Sequence, residues 1–240
     1  MVPLGAIVVD FDGTACGVDV SEVLLQRFGD PSWPDLSRAV DRGEIGLREA
    51  MHKQAAMLDA GHDEMLAYAI ANCPLDPTFT AFVSWSAARD VPLSLASDGF
   101  AFYLQPILEA AGLGDLDVAT NELRFSGGRA RQMRHPNGHP DCVGCGTCKM
   151  LIVQRARAAH GPVAFIGEGQ SDRYGALYAD VVFAKDALVA ICERDGVPYL
   201  PYRTFDDVRQ RLESIEALPG PMNPLTCPGW TPVSERGGSR

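Results

Sequence analysis

The stretch Val8-Val9-Asp10-Phe11-Asp12-Gly13-Thr14, "VVDFDGT", closes the first apolar run of the chain and decides how the remainder is read. The run "AIVVD" (6–10) reads as a buried strand. It delivers Asp10 and Asp12 to its carboxyl end, followed by Gly13 and Thr14 where the chain must turn. In open α/β sheets this edge is where ligands bind. Side chains at i and i+2 of a strand project to one side, and past the strand's end they can diverge. Two carboxylates so placed suit a nucleophile beside an acid/base. The plainer alternative is a pair of helix-capping aspartates.

Outward from this stretch, further short apolar runs, "PLSLAS" (92–97), "VAFIGE" (163–168) and "DVVFA" (180–184), alternate with segments of helical period. That alternation predicts an α/β fold, a Rossmann-like parallel sheet. Patterns such as "VDVSEVLLQRF" and "LREAMHKQAAML", broken by "GDPSWPD", predict a helical insertion between the first two strands. In "DVATNELRFSGGRARQM", Gly127-Gly128 between alternating residues predicts a hairpin. The expected division is a core over 1–14 and 77–217, a helical cap over 15–76, a hairpin and cysteine loop over 117–148, and a flexible tail over 218–240 rich in Pro and Gly.

Composition narrows the partners. A chain of 240 residues with 46% hydrophobic and 22% charged residues can bury a sizeable core. A formal charge of −10 without a long Lys/Arg run argues against nucleic acid and anionic membrane as partners. Residues 1–9 carry no basic leader and are too short for a span, so the cytoplasm is the expected location. Oligomeric state is not legible.

The other strand ends add polar groups to the same edge. "LASDGF" offers the Ser97 hydroxyl and the backbone N–H groups of Asp98 and Gly99, a setting that binds phosphate oxygens near a helix start. "GEGQSD" offers Glu168 and Asp172, which with Asp10 make the hard oxygen cluster that Mg²⁺ requires. Such acids around a phosphate need cations. Lys149, one of three lysines with Lys53 and Lys185, opens the helical pattern that precedes the Glu168 strand. It is the candidate cation.

Taken in order, "DFDGT", Ser97, Lys149 and "GEGQSD" resemble the four motifs of the haloacid dehalogenase superfamily of phosphatases, over nearly all of 5–217. The resemblance implies Asp10 as the nucleophile that takes the phosphoryl group and Asp12 as the acid/base. It implies Ser97, Asp98, Gly99 and Lys149 around the phosphoryl oxygens. Mg²⁺ would be held by Asp10, the Asp12 carbonyl, Glu168 and Asp172. One departure stands out: the family's fourth motif usually begins with Asp, and here position 168 is Glu. The longer arm must be accommodated by backbone retreat, a water bridge, or ligation through Asp172. The helical insertion resembles the cap of the phosphoserine phosphatase-like branch. "VATNELRFSGG" with the cysteine stretch and "TFDDV" (204–208) resemble the methionine-salvage phosphatases that act on 2-hydroxy-3-keto-5-methylthiopentenyl 1-phosphate. The implied partner is a small phosphorylated metabolite.

"HPDCVGCGTCK" (139–149) delivers Lys149, and its thiols could do more. Cys142, Cys145 and Cys148 with His135 or His139 could supply four ligands to a structural Zn²⁺; reduced thiols packed in a loop are the alternative. Two further functions are weighed. A phosphonate- or halide-cleaving hydrolase of the same superfamily would need, for the phosphonate, a Schiff-base lysine, for which Lys53 is the cap's candidate. A non-catalytic zinc-dependent binding module is the other.

Overall fold

The protein is described from a computed structural model over residues 4–127, 129–221, 227 and 229, with the side chains of 129–131 left aside. Most of the tail expected from 218 onward, and Gly128 of the expected hairpin turn, lie outside the described residues.

Seven strands form one sheet in the order β4-β3-β2-β1-β5-β6-β7. They are β1 (Ala6–Val9), β2 (Leu93–Phe100), β3 (Asp117–Ser126), β4 (Arg129–Arg134), β5 (Val163–Gly167), β6 (Val181–Ala184) and β7 (Leu200–Pro201). Every neighbouring pair is parallel except β3 and β4, whose antiparallel register sets Glu122 opposite Arg134. The expected Rossmann-like α/β architecture is present, and the chain reverses its direction of travel across the sheet at β1/β5. That reversal opens a crevice at the carboxyl ends of the two strands.

The continuous apolar run of β1 follows from burial on both faces. Ile7 and Val9 join one core cluster with Phe79, Phe82 and Phe205, whereas Ala6 and Val8 join another with Val153, Phe165 and Leu177. The first face carries α5 (Phe79–Ala87), α6 (Ala101–Ala110) and α10 (Phe205–Ser214). The second carries α7 (Lys149–His160), α8 (Arg173–Tyr178) and α9 (Asp186–Asp195).

Between β1 and α5 stand four helices, α1 (Val20–Phe28), α2 (Trp33–Asp41), α3 (Leu47–Met57) and α4 (His62–Asn72). Asp19 caps α1 by accepting from the Glu22 N–H at 2.8 Å, as a short polar side chain before an apolar helical run does. Leu24, Leu25, Met51 and Met65 extend the first core cluster, so the inserted helices share apolar contacts with the sheet's layer. No helix among the described residues is long and apolar enough to cross a membrane.

β2 runs further than expected. It continues through Ser97 to Phe100 with a register irregularity against β3 between Ala96 and Phe100, and α6 begins only at Ala101. Ser97, Asp98 and Gly99 therefore belong to an extended, irregular strand end and not to a helix N-terminus. The expected helix-dipole contribution at Ser97 is accordingly displaced by several residues.

Candidate active site

Asp10 and Asp12 diverge as the end of a strand permits. The Asp10 N–H still donates to Ile166 O at 2.9 Å, continuing the β1/β5 pairing. Beyond it the chain makes one wide turn over Phe11–Ala15, with Gly13 at φ 73°. This left-handed conformation favours glycine.

Asp10 is 3% exposed. Its Oδ1 accepts from Lys149 Nζ at 2.6 Å and its Oδ2 from the Thr14 hydroxyl at 3.1 Å. Burial, then the Asp172 charge, raise the Asp10 carboxyl well above the usual carboxylate range, with Lys149 opposing them. Lys149 fills its three donor positions, giving 2.6 Å to Asp172 Oδ1 and 3.0 Å to the Ser171 hydroxyl besides Asp10. Burial disfavours its charge, but Asp10, Asp172 and Asp98 outweigh burial and raise its pKa. Asp172, fully buried, is engaged at both oxygens, since its Oδ2 accepts from the Glu168 and Gly169 N–H groups at 2.9 Å each.

Asp12 turns the other way. Its Oδ2 accepts from Ser97 Oγ at 2.9 Å and its Oδ1 from the Val20 N–H at 3.0 Å. Desolvation, then the Asp19 charge, push its pKa up to about 7, against the Ser97 and Val20 hydrogen bonds. A carboxyl so poised carries a proton for part of the time near neutrality. Ser97 Oγ also accepts from the Gly99 N–H at 2.8 Å. The Asp98 carboxylate points to the cysteine loop, accepting from the Thr147 N–H at 2.7 Å. This leaves its backbone, not its carboxylate, as the group for an anion.

Gly99 is fixed by space. A Cβ there would lie 2.1 Å from the Tyr103 hydroxyl, 2.6 Å from Asp12 Oδ2 and 2.9 Å from Ser97 Oγ. Gly99→Ala is therefore expected to displace Asp12 and lower kcat/KM by about 10²-fold, because displacements near 1 Å at reacting groups have that scale. Steady-state kinetics beside a melting curve check this, and unchanged kcat/KM would refute it.

Oxygen atoms of Asp10, Glu168 and Asp172 lie within 4.8 Å of one another. The Glu168 carboxylate accepts no hydrogen bond among those found between described residues, and desolvation, then Asp172, raise its pKa to about 7. An unpartnered, half-buried carboxylate beside Asp10 fits a divalent cation. The longer arm of Glu168 finds room over Gly13, where a Cβ would come within 3.1 Å of its Cγ and Cδ. The Asp12 carboxylate, facing Ser97 and Val20, is not part of this group. Its expected contribution was the backbone carbonyl.

These groups open into a cavity of about 200 Å³. Asp19, Ser21 and Glu22 line its waist. The inserted helices line it mainly with apolar side chains, Leu24, Leu25, Leu47, Met51, Ala55 and Leu58, together with the polar Ser37 and Gln54, and Phe100 and Phe102 follow the Ser97 segment. None of the lining residues is basic. Sequence reading located neither this lining nor Asp19, Ser21 and Glu22. The "DVSE" start of α1, an Asp followed three residues later by Glu, is the signal that could have located the latter.

The zinc set expected around the cysteine loop is not assembled. Among the described residues, Asp10, Glu168 and Asp172 form the group of metal-ligating side chains, and Cys142, Cys145, Cys148, His135 and His139 form none. Their atoms are used locally. His135 binds Asn121 and His52 through its two ring nitrogens, His139 Nδ1 accepts from the Asp141 N–H, and Cys142 Sγ accepts from the Gly144 N–H. Lys53 is exposed, pairs with Glu49 at 2.7 Å and does not line the cavity, so the phosphonate reading lacks its lysine.

Comparison with known proteins agrees with this geometry. The family model described as haloacid dehalogenase-like hydrolase matches residues 7–176. A 2-hydroxy-3-keto-5-methylthiopentenyl-1-phosphate phosphatase of Brevibacillus brevis is 30% identical over 210 residues, covering 86% of this chain and 94% of the relative. A namesake from Geobacillus kaustophilus is 29% identical over 212 residues, covering 87% and 96%. A solved phospho-aspartyl intermediate analogue of phosphoserine phosphatase superposes with a TM-score of 0.69 at 16% identity, covering 89% of this chain and 99% of the other, which shows a shared fold. The chain belongs to the haloacid dehalogenase-like hydrolases, and among them it is a phosphatase.

Proposed function

We propose that the chain hydrolyses the phosphate monoester of a small, uncharged, partly apolar alcohol, with Mg²⁺ as cofactor and a phosphoryl group carried transiently on Asp10. The observation that carries this reading is the cavity itself. It is lined by Asp10, which Lys149 pairs from behind, by Asp12 with a pKa near neutrality, and by a mainly apolar set from the inserted helices that includes Ser37 and Gln54 and no basic side chain.

Asp10 attacks phosphorus while Asp12 gives its proton to the leaving alkoxide oxygen, so the P–O ester bond breaks as the acyl phosphate forms. Asp12, now a carboxylate, takes a proton from water, whose oxygen attacks the same phosphorus and returns the Asp10 carboxylate with inorganic phosphate. Lys149, exchanging its 3.0 Å bond to the Ser171 hydroxyl for a phosphoryl oxygen, and the Ser97 to Gly99 segment hold the phosphoryl group. Asp10 and Glu168, with Asp172 and the Asp12 carbonyl, would hold Mg²⁺, which would supply positive charge to offset the phosphoryl oxygens. Helices α1 to α4 act as a cap that excludes water.

The lining supports a choice of substrate. Phosphoserine would bring an ammonium that Asp19 or Glu22 could pair and a carboxylate for which the described lining offers no cation, so its carboxylate is the group left without a partner. The ester named for the Brevibacillus brevis relative has a neutral leaving group ending in a methylthio group, which suits the Leu24, Leu47, Met51 and Leu58 wall. Phosphate release from 2-hydroxy-3-keto-5-methylthiopentenyl 1-phosphate, phosphoserine and simple alkyl phosphates, each with Mg²⁺ and with chelator, tests this. Metal-dependent release favouring the neutral apolar ester over phosphoserine is expected, and preference for phosphoserine would overturn it.

Mg²⁺ linkage gives an independent check. Glu168 and Asp10 have folded-state pKa values raised above their unfolded values, so the stability tied to their protons is present at low pH and lost as pH rises toward 7. Mg²⁺ binds the ionised forms. The rise in Tm caused by saturating Mg²⁺ is therefore expected to grow from near zero at about pH 5 to several degrees at about pH 8. Differential scanning fluorimetry measures this, and a shift independent of pH would contradict it.

A further inference from the structure

We infer that Asn121 and His135 are positioning residues that set the backbone of the Ser97 to Phe100 segment and tie it to helix α3 through His52. The kinetic part of this inference rests on the phosphatase reading above; the structural part does not.

Asn121, at the end of the β2/β3 pairing, is fully buried. Its Nδ2 donates to Asp98 O at 2.8 Å and Gly99 O at 3.3 Å. The Thr120 hydroxyl donates to Gly99 O at 2.7 Å. Both carbonyls are thus drawn toward β3, and a planar peptide whose C=O is held on one side turns its N–H to the other, where the Gly99 N–H donates to Ser97 Oγ at 2.8 Å and fixes that hydroxyl. With Nδ2 occupied in this way, Asn121 can offer only Oδ1 to His135, so His135 Nδ1 donates across the 2.7 Å contact. His135 Nε2 is left as the acceptor for His52 Nε2–H, 3.1 Å away on α3. Burial, then the charges of Arg48 and His52, lower the His135 pKa to about 4, which keeps it neutral and holds this donor pattern.

A second tie runs alongside. The Arg48 N–H donates to Gly144 O at 3.1 Å and Arg48 Nε to Cys145 O at 2.8 Å, fastening the first turn of α3 to the loop whose Thr147 N–H holds Asp98. Helix α3 is thus bonded to the segment from two sides. The inner arm, Asn121 with His135, is part-buried and the outer arm, His135 with His52, is exposed, so the inner arm is the stronger.

Two substitutions separate the arms. His135→Asn keeps a donor near the Nδ1 position and loses the reach to His52; His135→Gln keeps the reach and loses the inner donor. Amide hydrogen exchange and inhibition by inorganic phosphate are measured on both, on His52→Ala and on the His52→Ala/His135→Asn double variant. His135→Gln is expected to speed exchange at residues 96–100 about tenfold, with β5 and β6 unchanged, and to raise the phosphate inhibition constant by about as much. His52→Ala and His135→Asn should give equal effects of about two- to threefold, and the double variant no more than either. Exchange at 96–100 unchanged in His135→Gln, or effects of the two outer-arm variants that multiply, would overturn the inference. Should the parent hydrolyse no phosphate ester, the exchange measurements still decide it, and that failure belongs to the proposed function alone.

Discussion

Asp10→Asn is expected to remove turnover, lowering kcat by at least about 10⁴-fold, the scale on which a covalent nucleophile acts within a cooperating set. The fold should survive. The amide oxygen can accept from Lys149 in place of Oδ1, and the Thr14 hydroxyl can accept from the new amide in place of donating to Oδ2. One buried carboxylate facing Asp172 is removed at the same time, and that repulsion is among the causes raising the Asp10 pKa. The metal-free variant should accordingly melt at or above the parent's Tm. Calorimetry beside a phosphate-release assay distinguishes lost chemistry from lost structure, and a variant with retained turnover would remove Asp10 from its role.

Lys149→Met is expected to cost both activity and stability. Lys149 is the cation that satisfies Asp10 and Asp172, each at 2.6 Å, in a pocket where lysine and both acids are buried. Removing one partner of a buried ionic group destabilises by about 3–5 kcal/mol. The pH dependence follows from sign. Without the lysine the folded pKa of Asp10 rises further above its unfolded value, so stability held at low pH is lost as pH rises. The deficit against the parent should be small at about pH 4 and approach its full size at about pH 8. Urea titrations across that range measure it. A deficit that shrinks with rising pH would mean that Lys149 is not the counter-ion.

Much of this was legible in the sequence because it rests on local rules. The apolar runs ending in Asp10 and Glu168 could be read as parallel strands since burial on both faces demands continuous hydrophobicity, and the structure places Ile7 and Val8 in opposite cores. The divergence of Asp10 from Asp12 followed from strand geometry. Residues that act across long separations were not legible. Asn121 meets Asp98 and Gly99 only because β3 pairs with β2, and nothing in "ATNEL" announces it. The apolar lining of the cavity is invisible for the same reason, since Leu24, Met51 and Leu58 look like any buried stripe until α1 and α3 are packed. The cysteine spacing suggested zinc, yet spacing does not fix where side chains point: His135 is turned to Asn121 and His52, and the loop's backbone serves Asp98 and Arg48.

The central claim is that phosphorus is carried by Asp10. The most direct test quenches the enzyme in acid during turnover of the methylthio ester with Mg²⁺, reduces it with borohydride, and maps its peptides by mass spectrometry. Conversion of Asp10 to homoserine, in the presence of substrate and absent from Asp10→Asn, is the predicted result. Sustained phosphate release with Asp10 unmodified would contradict the account.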